Sequence, residues 1–313
     1  MKNFLHIFNG DCTADLAKGA GIQGTYFVWR ELLCQGSCAY EIRSDRFIET
    51  RIRYFVQENY ASPSKYKNAF SSQFALLDNS YDEIVLWFEH DLFCQINMLG
   101  VLSLLHQEKV KSPLSLICVG DSPSQKRRIG LGEIIADEYA NLLEARVPLN
   151  SDKLQFADSA WKYYCEDMIR FDTIEHIPDV FPYLADTIRN NRLRFPILGS
   201  NFSVLETNIL RWIETEDHTK KTLIAFMLRQ YNDLGYGDLQ YSKLIESLSQ
   251  LFIENDDKNL ILNTLGKGSI SKTYNTALQQ LSKEKSNPTW AKYAYDIDNE
   301  KLTIVGLSPE TEY

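Results

Sequence analysis

The chain has 313 residues, of which 44% are hydrophobic and 24% charged, with a formal net charge of −9. This length accommodates one large domain or two. Its acidic balance argues against a general nucleic-acid binder, which needs positive charge to meet phosphates. Residues 200–313 repeat that balance, with 12 lysines and arginines against 16 aspartates and glutamates. No apolar run is long enough to cross a bilayer, and Met1-Lys2-Asn3-Phe4 lacks a signal-peptide pattern. A cytoplasmic protein without membrane contact is therefore expected. Its six cysteines lie in or beside apolar runs within the first 165 residues, as reduced thiols rather than a disulfide framework.

Along the chain, Phe4–Phe8 reads as a strand running into Asn9-Gly10-Asp11, and Cys12–Lys18 as a short helix. Thr25–Trp29 is a second strand, closed by Arg30-Glu31 and the loop Cys34–Cys38. Ser44 or Asp45 can cap a helix in which Phe47, Ile48, Ile52, Phe55 and Val56 share one face. Glu83–Phe88 forms a strand that stops at Glu89-His90-Asp91, and Asp91 opens an apolar helix through Leu105. After the break at Ser112-Pro113, Leu114–Val119 runs into Gly120-Asp121-Ser122. Strands alternating with helices predict a Rossmann-like, mostly parallel sheet over residues 1–150. Gly19–Gly24 has dinucleotide-binding spacing but follows a helix and opens a strand, the wrong context for that role.

Helical patterns then cover Leu131–Arg146, Lys153–Arg170 and Phe181–Asn190, making residues 151–198 a helical continuation that ends in a junction near Asn191–Ser200. Three further patterns, Val204–Glu214, Lys220–Leu234 and Tyr241–Phe252, precede strand-like Trp290–Ile297 and Lys301–Val305. Three helices and a terminal hairpin are the order of a winged-helix module, expected over residues 199–313.

Several of these pieces carry a family resemblance. His6-Ile7-Phe8-Asn9-Gly10-Asp11, Val28-Trp29-Arg30-Glu31-Leu32-Leu33-Cys34-Gln35-Gly36, Trp87-Phe88-Glu89-His90-Asp91-Leu92-Phe93-Cys94-Gln95 and Leu131-Gly132-Glu133 resemble a bacterial family catalogued as domain of unknown function 1835. The stretch from Arg194-Phe195-Pro196 to Leu205-Glu206-Thr207 resembles its companion C-terminal region more loosely. The resemblance implies an α/β domain followed by a helical domain and assigns no activity. Cys12 stands where the family often has a serine after the first aspartate, which removes a hydroxyl there.

Three of the apolar runs stop at carboxylates, as buried parallel strands do when they deliver polar groups to the ligand-binding edge of a sheet. Asp11, Glu89 and Asp91 are accordingly candidate catalytic acids or bases. Gly10, Arg30, Asp121 and Ser122 are candidate ligand-binding residues for a small anionic ligand, phosphorylated or nucleotide-like. Clustered carboxylates can also hold a divalent cation, although the spacing singles out neither metal ligands nor a cofactor. The structural alternatives are that Asp11 and Asp91 only cap helices, that Arg30 pairs with Asp11 or Glu31, and that Lys126-Arg127-Arg128 is a solvated turn. His90 lies between two acids and can serve as a base or as an exposed loop residue. Cys34-x-x-x-Cys38 lacks the second pair that structural zinc needs. Gly120-Asp121-Ser122 is a weak match to serine esterases, because Asp172 and His176 are spaced one residue too far apart. Alternatively, the chain is a ligand-sensing regulator whose C-terminal module contacts DNA or protein, or it acts through interactions alone.

Overall fold

The computed structural model describes residues 2–78, 80–122, 125–270 and 292–305, so Pro123, Ser124 and Trp290 lie outside it. The chain divides into two compact units, Met1–Thr187 and Ile188–Tyr313.

The first unit is an α/β fold. Its elements are β1 (Phe4–Asn9), α1 (Asp11–Gly19), β2 (Thr25–Trp29), α2 (Asp45–Gln57), α3 (Pro63–Ser71), β3 (Glu83–Glu89), α4 (Leu92–Gln107) and β4 (Leu114–Val119). They continue with β5 (Asp121–Ser122), β6 (Arg127–Arg128), α5 (Glu138–Glu144), β7 (Val147–Leu149), α6 (Ser151–Glu166) and α7 (Met168–Asp172). Five strands form one sheet in the order β2-β1-β3-β4-β7. The first four are parallel, with Ile7 beside Phe27 and Leu86, and Leu86 beside Leu116. The short β7 closes the edge antiparallel to β4.

The strands are apolar because both of their faces are covered. On one face Phe8, Val85, Trp87, Ile117 and Val119 pack with Ala14 and Ala17 of α1 and Tyr139 of α5. Residues of the alternate register, including Leu5, Ile7, Leu86, Phe88 and Leu116, are buried on the other face. There α4 packs against β1 and β3, and α6 packs against α4. Thirteen of the sixteen residues of α4 are buried, the condition of a helix that is apolar all round. That packing ties residues 151–166 to the first unit.

The chain passes from β1 to β2 on one side and then returns past β1 to β3 on the other. The carboxyl ends of β1 and β3 therefore flank a topological switch point, where open α/β sheets bind ligands.

Residues 131–146 do not form the single helix expected. A short 3-10 turn at Leu131–Glu133 precedes α5, and Val147-Pro148-Leu149 is a strand. Pro148 pairs with Ser115 at the sheet edge, a place that tolerates a residue without an N–H.

In the second unit, α8 (Leu184–Arg192, which crosses the division) leads to α9 (Val204–Thr215), α10 (Lys220–Gln230), α11 (Asp238–Ser247), β8 (Phe252–Glu254), β9 (Leu260–Leu262), α12 (Thr264–Ile270), β10 (Tyr293–Asp296) and β11 (Lys301–Ile304). Ser203 and Glu206 form a capping box at α9. Ile209, Leu210 and Ile213 of α9 share a core with Leu223, Met227, Tyr241, Ile245, Leu260 and Leu262. The expected terminal hairpin is present as β10–β11. A second hairpin, β8–β9, begins at Phe252, which had been expected to end a helix. Its turn is Asn255-Asp256-Asp257-Lys258, with Lys258 at φ 66°, a left-handed turn conformation. Among the described residues no helix is long and apolar enough to cross a membrane.

Candidate functional site

The chain leaves β1 through Gly10, whose φ of 108° and ψ of 164° suit only glycine, and a Cβ there would meet nothing within 4 Å. Asp11 is the first residue of α1, and Gly10 supplies no side-chain cap. Across the strand end, Arg30 donates from Nε and Nη2 to the Asp11 carboxylate at 2.8 and 2.6 Å. That pair holds the Asp11 carboxyl below its ordinary range and raises the Arg30 guanidinium. Arg30 thus grips a carboxylate of its own chain.

The other flank is also self-paired. Asp121 and Ser122 enter the β5–β6 hairpin opposite Arg128 and Arg127. Arg128 binds Asp121 at 3.2 Å and Asp186, and lies 5.1 Å from the Tyr183 ring centre. The Tyr183 hydroxyl accepts from the Asp121 backbone N–H at 2.7 Å. Arg127 pairs with Glu133 at 2.5 Å. Both arginines of this loop are thus engaged in ion pairs.

Glu89 and Asp91 behave differently. Glu89 ends β3 half-buried, and its Oε1 accepts from the Leu131 N–H at 2.9 Å. A Cβ on Gly130 would come within 2.6 Å of Glu89 Oε2, so glycine lets the loop close over this carboxylate. Burial raises the Glu89 pKa, and the nearby Glu133 charge adds to that, against the lowering effect of the Leu131 bond. Asp91, buried, caps α4 by accepting from the Cys94 N–H at 2.7 Å. The cap also places Cys94 in the first turn of α4 beneath both acids. Burial pushes the Cys94 thiol well up, and Asp91 and Glu89 push it further.

Glu89, Asp91 and Cys94 each offer a ligand atom, all within 4.8 Å of one another. Among the described residues no other group of three or more His, Cys, Asp or Glu is so placed. Asp11 and Asp121 do not belong to it.

One half-buried and two buried amides hold this group. Asn9 Nδ2 donates to Cys94 Sγ at 2.8 Å, and Asn9 Oδ1 accepts from Asn97 Nδ2 at 2.8 Å. Asn97 also donates to the Glu31 carbonyl and accepts from the Leu33 N–H, tying α4 to the exits of β1 and β2. Gln95 Nε2 donates to the Glu89 carbonyl at 2.6 Å. Cys94, Asn9, Gln95 and Asn97 were not among the expected site residues. The available signal was polar residues inside an otherwise apolar helix directly after a capping aspartate.

The loop after β2 rests on a buried ion pair. Arg51 and Glu31, both with fully buried side chains, meet at 2.8 Å. Arg51 also donates to the carbonyls of Leu32, Gln35 and Ser37, and Glu31 accepts from the Tyr66 hydroxyl. Burial works against the Arg51 charge, yet Glu31, with Cys38 and Tyr66, together more than offset it and the guanidinium pKa is raised.

His90 is buried, 5.9 Å from the Tyr183 ring in edge contact, and not exposed in a loop. His6 lies between β2 and β3 under the sheet face, where Trp87 Nε1 donates to its Nδ1 at 3.1 Å. A groove of about 660 Å³ lies elsewhere, along α6 and α7, lined by Asp152, Phe156, Tyr163, Arg170 and Glu175 among others. None of the carboxyl-edge residues line it.

No family model matches the chain, and no curated protein matches it.

Proposed function

We propose that residues 1–187 form a small-ligand-binding or catalytic α/β domain whose site is the switch point between β1 and β3. Its reactive groups are Glu89, Asp91 and Cys94, which hold a divalent cation against an anionic ligand. The observation that carries this reading is the convergence of those three ligand atoms where the strand order reverses. One thiolate and two carboxylates favour a borderline ion such as zinc or ferrous iron over magnesium. Three protein ligands leave a coordination position for a water or substrate oxygen. The Asn9 N–H directed at the Cys94 sulfur is the kind of outer contact that orients a metal-bound thiolate. Glu89, whose carboxyl burial pushes up, serves as the acid or base when it is not a ligand. The motif resemblance to domain of unknown function 1835 supports the same division into an α/β and a helical domain.

A thermal-shift screen of the protein with zinc, manganese and magnesium, each with and without nucleotides and sugar phosphates, tests this reading. Ligand at a hundred times its dissociation constant adds about 2.7 kcal/mol. A shift in wild type that disappears in Glu89→Gln and Cys94→Ser supports the site. A folded protein that responds to none of these additions refutes it.

For the second unit we propose a winged-helix-like module. Helices α9, α10 and α11 precede the β8–β9 hairpin, and Thr219, between α9 and α10, bridges to Asn259 as a short first strand would. The charged residues of α11 are Asp238, Lys243 and Glu246, and Glu246 binds Lys220. A helix of that charge is unsuited to the phosphates of duplex DNA.

A further inference from the structure

The β8–β9 hairpin carries a feature that neither the fold nor the metal site uses. In its register Phe252 pairs with Leu262, Ile253 with Ile261, and Glu254 with Leu260. Leu260 and Leu262 point inward and are buried in the core of the unit. Successive strand residues face opposite ways, so Ile253 and Ile261 stand side by side on the outer face. They are 58% and 41% exposed. A single exposed isoleucine is ordinary, but a directly paired cross-strand couple is a small apolar platform.

The surroundings of this platform are acidic. Asp256 and Asp257 are exposed at the turn, against Lys258, whereas Glu254 pairs with Leu260 on the opposite face of the hairpin. The segment that ends α9 lies alongside, because the Leu260 N–H donates to the His218 carbonyl at 2.8 Å and Thr219 bridges to Asn259. It adds exposed Glu214, Glu216 and Asp217. Lys220 is already bound to Glu246, so exposed Lys221 and Lys258 are the cations set against five carboxylates, Glu214, Glu216, Asp217, Asp256 and Asp257. Carboxylates concentrated beside exposed isoleucines repel phosphate and a second copy of the same face, and attract a cationic, partly apolar surface.

We propose that the β8–β9 hairpin docks a basic segment of a partner protein that also carries apolar side chains. The isoleucine pair supplies the buried contact and the carboxylates supply steering and register. This role is independent of any metal at the switch point.

The test uses the full chain and a dye-labelled synthetic peptide of alternating lysine and valine, read by fluorescence anisotropy. Wild type should bind it, and affinity should fall as salt rises. The double variant Ile253→Ser/Ile261→Ser should bind at least tenfold more weakly with unchanged circular dichroism. Ile135→Ser, which removes an equally exposed isoleucine of the first unit, should bind as wild type does. The double variant Asp256→Lys/Asp257→Lys should weaken binding and flatten its salt dependence. A peptide alternating lysine and serine should bind at least tenfold more weakly than the valine peptide. Absent binding by wild type overturns the proposal. So does equal binding by the isoleucine variant, equal binding of the serine peptide, or a wild-type dimer that the isoleucine substitutions dissociate.

Discussion

His6 makes the stability of the first unit depend on pH with a calculable size. The ring is fully buried between strands. An indole N–H can only donate, so His6 Nδ1 must accept from Trp87, and the proton sits on Nε2, which reaches the Gln23 carbonyl at 3.2 Å. A second proton would have to occupy Nδ1 and abolish the Trp87 bond. Burial, the largest cause, lowers the His6 pKa to about 4, with Arg146 adding to the shift against the Gln23 bond and Glu83. In the unfolded chain the same ring titrates near 6.5. The folded value lies below the unfolded one, so the unfolded state takes up a proton first. Stability is therefore full above the unfolded pKa and is lost as pH falls from about 6.5 towards 4. At 1.36 kcal/mol per pH unit, the loss reaches about 2 kcal/mol by pH 5 and about 3 kcal/mol at its limit. The assay is urea denaturation at pH 8, 7, 6 and 5, followed by hydrogen exchange in peptides from β1 and β3. His6→Gln keeps an acceptor for Trp87 and a donor for Gln23 but cannot titrate. Carboxylates contribute equally to both proteins, so the difference isolates His6. Parallel stability curves between pH 7 and pH 5 would refute the reasoning.

Three further outcomes follow from the site and its supports. Arg51→Leu strands the buried Glu31 carboxylate and three backbone carbonyls, and should cost about 3–5 kcal/mol in a melting experiment; the double replacement Glu31→Leu/Arg51→Leu should recover much of it. Glu89→Gln removes a carboxylate whose raised pKa penalises the folded state as pH rises, while keeping an acceptor for Leu131. Its melting point at pH 8 should equal or exceed that of wild type even though metal binding is lost. Asp91→Asn preserves the helix cap and should melt close to wild type, whereas Asp91→Ala should lose about 1 kcal/mol; both should weaken metal binding in the shift assay.

The fold was readable where burial is continuous. β1, β2, β3 and β4 are apolar runs because helices cover both faces, and Asp91 and Ser44 mark helix starts by their caps. Short antiparallel pieces escaped because three residues carry no periodicity. Val147–Leu149 lay inside a helical pattern, although Pro148 signalled otherwise, and Phe252–Glu254 looked like a helix end. The site was half legible. Each carboxylate stood at its strand end, but which of them meet depends on strand order, a long-range property that no local pattern encodes. Asp11 and Asp121 sit near arginines and pair with them, whereas Glu89 and Asp91 face the first turn of a buried helix and meet Cys94 there. Asn97 was unread because its partners, Asn9 and the backbone of Glu31 and Leu33, lie 64 or more positions away.

A titration with cobalt(II) tests the switch-point site most directly. Cobalt takes zinc-like ligands, and a thiolate bound to it gives an intense charge-transfer band in the near ultraviolet. Wild type should develop that band to a one-to-one end point, more readily as pH rises because Glu89 and Cys94 must lose protons to bind. Cys94→Ser should abolish the band. No band at any cobalt concentration, or an undiminished band in Cys94→Ser, would contradict the account.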